Sequence, residues 1–273
     1  MVDIPNLPPA FSLARLKQLS KILPKIRKLP QEIRETARKQ RAIVEKIIPA
    51  DFSWAYLYEL SVIQLNALSL ATLGTLDRME RAHKAGEDLN ALLMDMIIES
   101  DSDEDKVEDW NGGYKGLFEE SDVFAVQFAT NGMMLCLGIY GRYLNDLVAI
   151  VREGKDREDE AFFKAVTIDR TVLTCPTFAA RLVRAELYGD KHFVRRLHKA
   201  VKGKPHDSLL MYQDLRFFLQ LFHEAKVLPK LSIEQSDLLF IQELKLYNEA
   251  GDPTRSLWRF IERWKQQQES SPT

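Results

Sequence analysis

Residues 123–141, VFAVQFATNGMMLCLGIYG, hold no charged side chain. Residues 52–76, FSWAYLYELSVIQLNALSLATLGTL, hold one carboxylate, Glu59. Each run is about as long as the ~20 residues that cross a bilayer. Polar groups interrupt both, however: Glu59, Gln64 and Asn66 in the first, Gln127, Thr130 and Asn131 in the second. In lipid such groups are costly, whereas a neighbouring helix inside a bundle satisfies them. The reading that follows is an all-α protein, a multi-helix bundle with a central apolar helical hairpin and a C-terminal three-helix segment. A two-span membrane-associated chain is the alternative.

Charge is unevenly distributed around these runs. Residues 1–50 carry eleven Lys or Arg against four acids, and residues 95–122 carry eleven acids against Lys106 and Lys115. Over all 273 residues the net charge is only −2, so attraction to a polyanion or a membrane must come from a local patch. With 45% hydrophobic and 29% charged residues, the composition is that of a globular chain with a core. Cys136 and Cys175 are too few for a disulfide framework or a four-thiolate zinc site. No signal-peptide core follows the proline-rich start, and a cytoplasmic location is expected.

Glycine, proline and capping residues divide the chain. Residues 1–50 read as a basic amphipathic arm of two helices, 11–29 and 31–48. Leu16, Leu19, Leu23, Ile26, Ile33, Ala37, Val44 and Ile47 follow coiled-coil-like spacing, which predicts self-association. Residues 51–204 read as a helical core interrupted by an acidic loop, 99–113. Within it, long helices are expected from residue 51 or 53 to about 83 and from 121 to about 152. The β-branched run 166–175 suggests a short strand, and Pro176 the first turn of the next helix. Asp190 is expected to cap a helix ending at Gly203. Residues 205–268 read as a C-terminal module with helices from about 207 to 226, 232 to 247 and 252 to 267. Gln235 stands at the capping-box position after Ser232. Residues 269–273 are expected to be a mobile tail.

Few motifs carry chemistry. Asp101, Asp103 and Asp105 match the first ligands of an EF-hand loop, but Lys106 replaces its glycine and Gly112 its bidentate Glu. Glu80 and His83 form a single Glu-x-x-His pair, where a di-iron bundle needs two. No metal site and no cofactor are expected. Cys175 and Arg181 have the Cys-x5-Arg spacing of cysteine-dependent phosphatases, with Cys175 before a helix N-terminus that would lower its pKa. Pro176 and the absence of glycine between them argue against a phosphate loop.

The strongest binding signal lies in residues 190–204. Phe193, Leu197, Ala200 and Val201 form an apolar face, while His192, Arg195, Arg196, Lys199, Lys202 and Lys204 form a basic stripe with no acid between Lys191 and Lys204. This pattern predicts a non-enzymatic, regulatory binding protein that uses basic helical surfaces on a protein partner. Nucleic-acid binding through the same stripe is the first alternative, by phosphate attraction and counterion release. A phosphatase-like enzyme using Cys175 and Arg181 is the second.

Overall fold

The computed structural model describes residues 7–28, 55–99, 118, 120–154, 158–248 and 251–269, with positions 35, 38, 39, 41 and 42. Thirteen helices and no strand occur among them. They are α1 (Leu13–Ile26), α2 (Val62–Thr72), α3 (Leu76–Lys84), α4 (Leu89–Glu99), α5 (Glu120–Tyr140), α6 (Leu144–Glu153) and α7 (Glu158–Ile168). Then come α8 (Pro176–Leu187), α9 (Lys191–Lys202), α10 (Asp207–Leu210), α11 (Gln213–Glu224), α12 (Ile233–Asp237) and α13 (Pro253–Glu269). The expected helix 31–48, the acidic loop and the Asp101, Asp103 and Asp105 trio lie largely or wholly outside the described residues.

Helix α5 is the spine, with an apolar cluster on either side. On one side Val126, Ala129, Met133 and Cys136 pack with Tyr58, Leu65, Leu144, Val148 and the aromatic group Phe162, Phe178 and Phe193. Burying each of those rings contributes about 1.5–3 kcal/mol. On the other, α11 brings Phe218 and Phe222 against Phe11, Leu16, Leu19 and Leu23 of the N-terminal segment and Phe240, Leu257 and Trp264 of the C-terminal one. The apolar seam of α1 is thus used within the chain's own core.

The two charge-poor runs meet as α2 against α5. Gln127 Nε2 donates to Ser69 Oγ at 3.3 Å and Thr72 Oγ1 at 3.1 Å, the kind of internal satisfaction a buried amide requires. From Ser121 to Tyr140 no side chain of α5 is fully exposed. This segment is long and apolar enough to cross a membrane, and half of it is buried by protein. The first run does not make a matching span. It forms a 3-10 turn, Ala55–Glu59, and then the eleven residues of α2, only about 16 Å of helix.

Both expected long helices are broken by glycine in the left-handed conformation. Gly74 (φ 69°) separates α2 from α3, and Gly141 (φ 69°) separates α5 from α6. At Gly141 a side chain would also collide, since an added Cβ would lie 2.8 Å from Trp264 Nε1. The run 166–175 is helical, not a strand. Asp169 caps a 3-10 turn, Arg170–Thr174, by accepting from the Thr171 amide at 3.0 Å, so local capping overrides β-branched preference. The helix expected from 207 to 226 is split into α10 and α11 at Met211 and Tyr212. The Ser232–Gln235 capping box forms, but α12 continues as a π-helix, Leu238–Glu243, and ends short of Tyr247.

Candidate binding surface on helix α9

Asp190 starts α9 by accepting from the Phe193 amide at 2.9 Å, and Gly203 follows its end. Phe193 and Ala200 are buried, with Leu197 and Val201 flanking them. That anchoring turns the opposite face outward. His192, Arg195, Arg196, Lys199, Lys202 and Lys204 are all exposed, and none forms an ion pair with a carboxylate among the described residues. Arg196 lies over the Phe163 ring, 4.3 Å from its centroid, which holds the base of the stripe to the core while its charge faces outward. Asp190, the nearest acid in sequence, is turned to the Phe193 amide and toward Arg181.

Sequence reasoning missed what lies beside the stripe. Val183, Leu187 and Tyr188 of the α8 end are strongly exposed, and Val183 and Val194 of α9 line a shallow groove together with Leu182, Glu186 and Leu197. Lys191 and His198 stand three and four residues from Val194, so basic side chains adjoin the apolar groove. The signal was present as Val183 and Leu187 at i, i+4 spacing, but the sequence does not say which face of α8 is left uncovered.

Cys175 and Arg181 are not assembled into a phosphate site. Cys175 is buried and its thiol donates to Glu59 Oε1 at 2.8 Å. Burial, then the hydrogen bond and charge of Glu59, push the thiol up to about 12, the reverse of the lowering expected from a helix N-terminus. The place an anion would take at that terminus is filled by Glu59, which also accepts from the Thr177 amide at 3.1 Å and hydroxyl at 2.6 Å. Arg181 is held instead by Asp159 at 2.6 Å, by Glu158 at 3.3 Å and by Asp190 at 3.9 Å, over the Phe193 ring. A guanidinium so surrounded by carboxylates has no capacity left for phosphate.

Glu80 is ion-paired to Lys84 at 2.6 Å on the surface of α3. Among the described residues, no group of three or more His, Cys, Asp or Glu is placed to hold a metal ion. No protein-family model, curated protein or solved structure matches the chain.

Proposed function

We propose that this protein is a non-enzymatic, regulatory binding protein that holds an acidic, partly apolar segment of a protein partner on α9 and the adjoining groove. One observation carries the reading. Five exposed cationic or imidazole side chains on one anchored helix, with Lys204 just beyond its end, have no neutralising carboxylate among the described residues, so their field is available to a partner. The groove beside them favours protein over nucleic acid, because phosphates gain nothing from Val183 and Val194 within it or from the exposed Leu187. Both cysteines are free, which suits a reducing, cytoplasmic setting.

Nucleic-acid binding by the same stripe is the second reading, supported by the absence of acids from Lys191 to Lys204. Fluorescence anisotropy separates the two. The probes are a labelled helical peptide with Leu at every third or fourth position among Glu residues, and a labelled single-stranded DNA of equal charge. The protein-partner reading expects tighter peptide binding, weakened about ten-fold or more by Val183→Asp with Leu187→Asp and likewise by Arg195→Glu with Lys199→Glu. Equal binding of both probes, changed only by the charge reversals, would favour the nucleic-acid reading.

A further inference from the structure

A second, unrelated feature lies where α13 meets α5, α6 and α7. Gly141 turns the chain, Trp264 packs on its Cα, and Gln268 donates to its carbonyl at 2.5 Å. Beneath that closure is a cavity of about 360 Å3, a size suited to a small organic molecule. Its walls are mixed. Tyr140, Ile150 and Phe260 supply apolar surface, and four cations, Arg142, Lys164, Arg216 and Arg263, face one carboxylate, Glu160. That carboxylate is already paired with Lys164 at 2.6 Å.

Arg216 is the unusual member. It is 8% exposed, and its guanidinium donates to the carbonyls of Gly138 at 3.0 Å and Leu209 at 2.6 Å, yet no carboxylate among the described residues pairs with it. Burial lowers its pKa, a measure of how poorly its charge is solvated there. Buried cations are ordinarily paired, because the low dielectric makes an uncompensated charge costly. Arg263, on the rim, donates only to the Arg259 carbonyl and also lacks a carboxylate partner among the described residues. Two guanidinium groups without a carboxylate counter-ion among the described residues thus border one cavity of mixed lining. Their fork-like donors match a phosphate or carboxylate group.

We propose that this cavity binds a small organic anion, a compact apolar body bearing one phosphate or carboxylate, with the anionic group drawn to Arg216 and Arg263 and the body against Tyr140, Ile150 and Phe260. The site shares no residue with α9, so it stands or falls independently of the protein-partner reading.

Calorimetric titration of the full chain with phenyl phosphate, benzoate and the neutral benzyl alcohol tests it. At least one of the two anions should bind at millimolar concentration or below, and the alcohol about ten-fold more weakly or not at all. Arg263→Glu, at an exposed position that leaves the fold intact, should weaken anion binding by about ten-fold or more. Should Arg216→Met fail to fold, the rim variant alone decides. The Arg195→Glu, Lys199→Glu variant on α9 should bind the anions as the parent does. Failure of both anions, indifference to Arg263→Glu, or loss of binding in the α9 variant would each overturn the proposal.

Discussion

The hydroxyl of Tyr58 donates to Asp169 Oδ2 at 2.7 Å across 111 residues of sequence, and both groups are buried. Thr171 completes the knot, with its hydroxyl 2.6 Å from Tyr58 and 2.8 Å from Asp169 Oδ1. This contact ties the 3-10 turn before α2 to the turn between α7 and α8. Asn145 of α6 reinforces it by donating to the Leu60 carbonyl at 2.8 Å. The first charge-poor run is thus held to the core by polar bonds as well as by apolar packing.

Replacing Tyr58 with Phe keeps the ring and deletes that donor. Leaving a buried carboxylate oxygen without it should cost about 1–3 kcal/mol. Urea unfolding should show a lower midpoint with an unchanged slope, since the surface exposed on unfolding is the same. An unaltered midpoint would mean that the bond contributes nothing.

Glu59 makes a prediction for acid. Burial raises its pKa, but the hydrogen bonds from Cys175 and Thr177 and the charge of Arg152 outweigh this, and the net value is lowered below 4.5. A carboxyl that is more acidic in the fold contributes stability above its unfolded pKa, and that stability is lost as pH falls through the folded value. Stability at neutral pH should exceed that at pH 3 by more in the parent than in Glu59→Gln. Parallel pH profiles from chemical denaturation would contradict this.

Both thiols should resist alkylation in the native state. Cys175 is pushed up to about 12 and Cys136 upward by full burial, so neither is a thiolate at neutral pH. Mass spectrometry after iodoacetamide treatment should find both cysteines unmodified in buffer and both modified in urea. Rapid labelling of Cys175 in buffer would restore the case for a reactive nucleophile.

Two glycines with the same left-handed backbone separate strain from crowding. Gly189 (φ 61°) has open space around an added Cβ, whereas at Gly141 (φ 69°) Trp264 Nε1 would lie 2.8 Å away. Gly189→Ala should cost only the backbone penalty, about 1–2 kcal/mol. Gly141→Ala should cost about 1–3 kcal/mol more, because it also forces α13 off the α5–α6 turn. Equal losses in thermal unfolding would mean that α13 does not seal that corner.

The helical class and most helix starts were legible because they rest on local signals. Asp190, Ser232 and Pro176 act where their chemistry places them, at helix N-termini. Polar residues in the apolar runs also pointed correctly to an internal partner, which Gln127 finds in Ser69 and Thr72. Helix lengths were overestimated because periodicity runs on through Gly74 and Gly141, whereas backbone geometry does not. The partners of Glu59 were illegible for another reason. Arg152, Cys175 and Thr177 lie 93, 116 and 118 residues away, and only the tertiary fold selects them.

For the binding surface, the composition of the stripe was legible and its surroundings were not. Spacing placed Arg195, Arg196 and Lys199 outward, since Phe193 and Ala200 had to turn inward. It did not show that nearby acids are engaged elsewhere, Asp159 and Glu158 by Arg181 and Arg184. Likewise, of the heptad-like seam read as a self-association face, Leu16, Leu19 and Leu23 are buried with Phe218 and Phe222 of the same chain, while Ile33, Ala37, Val44 and Ile47 lie outside the described residues. A periodic apolar face specifies that a partner exists, not whether it belongs to another molecule.

Hydrogen–deuterium exchange of the full chain, free and saturated with the Leu/Glu peptide, tests the central claim most directly. The account predicts slowed exchange in α9 and the second half of α8, with α1 and α11 unchanged. Protection elsewhere, with α8 and α9 exchanging at the rate of the free protein, would contradict it.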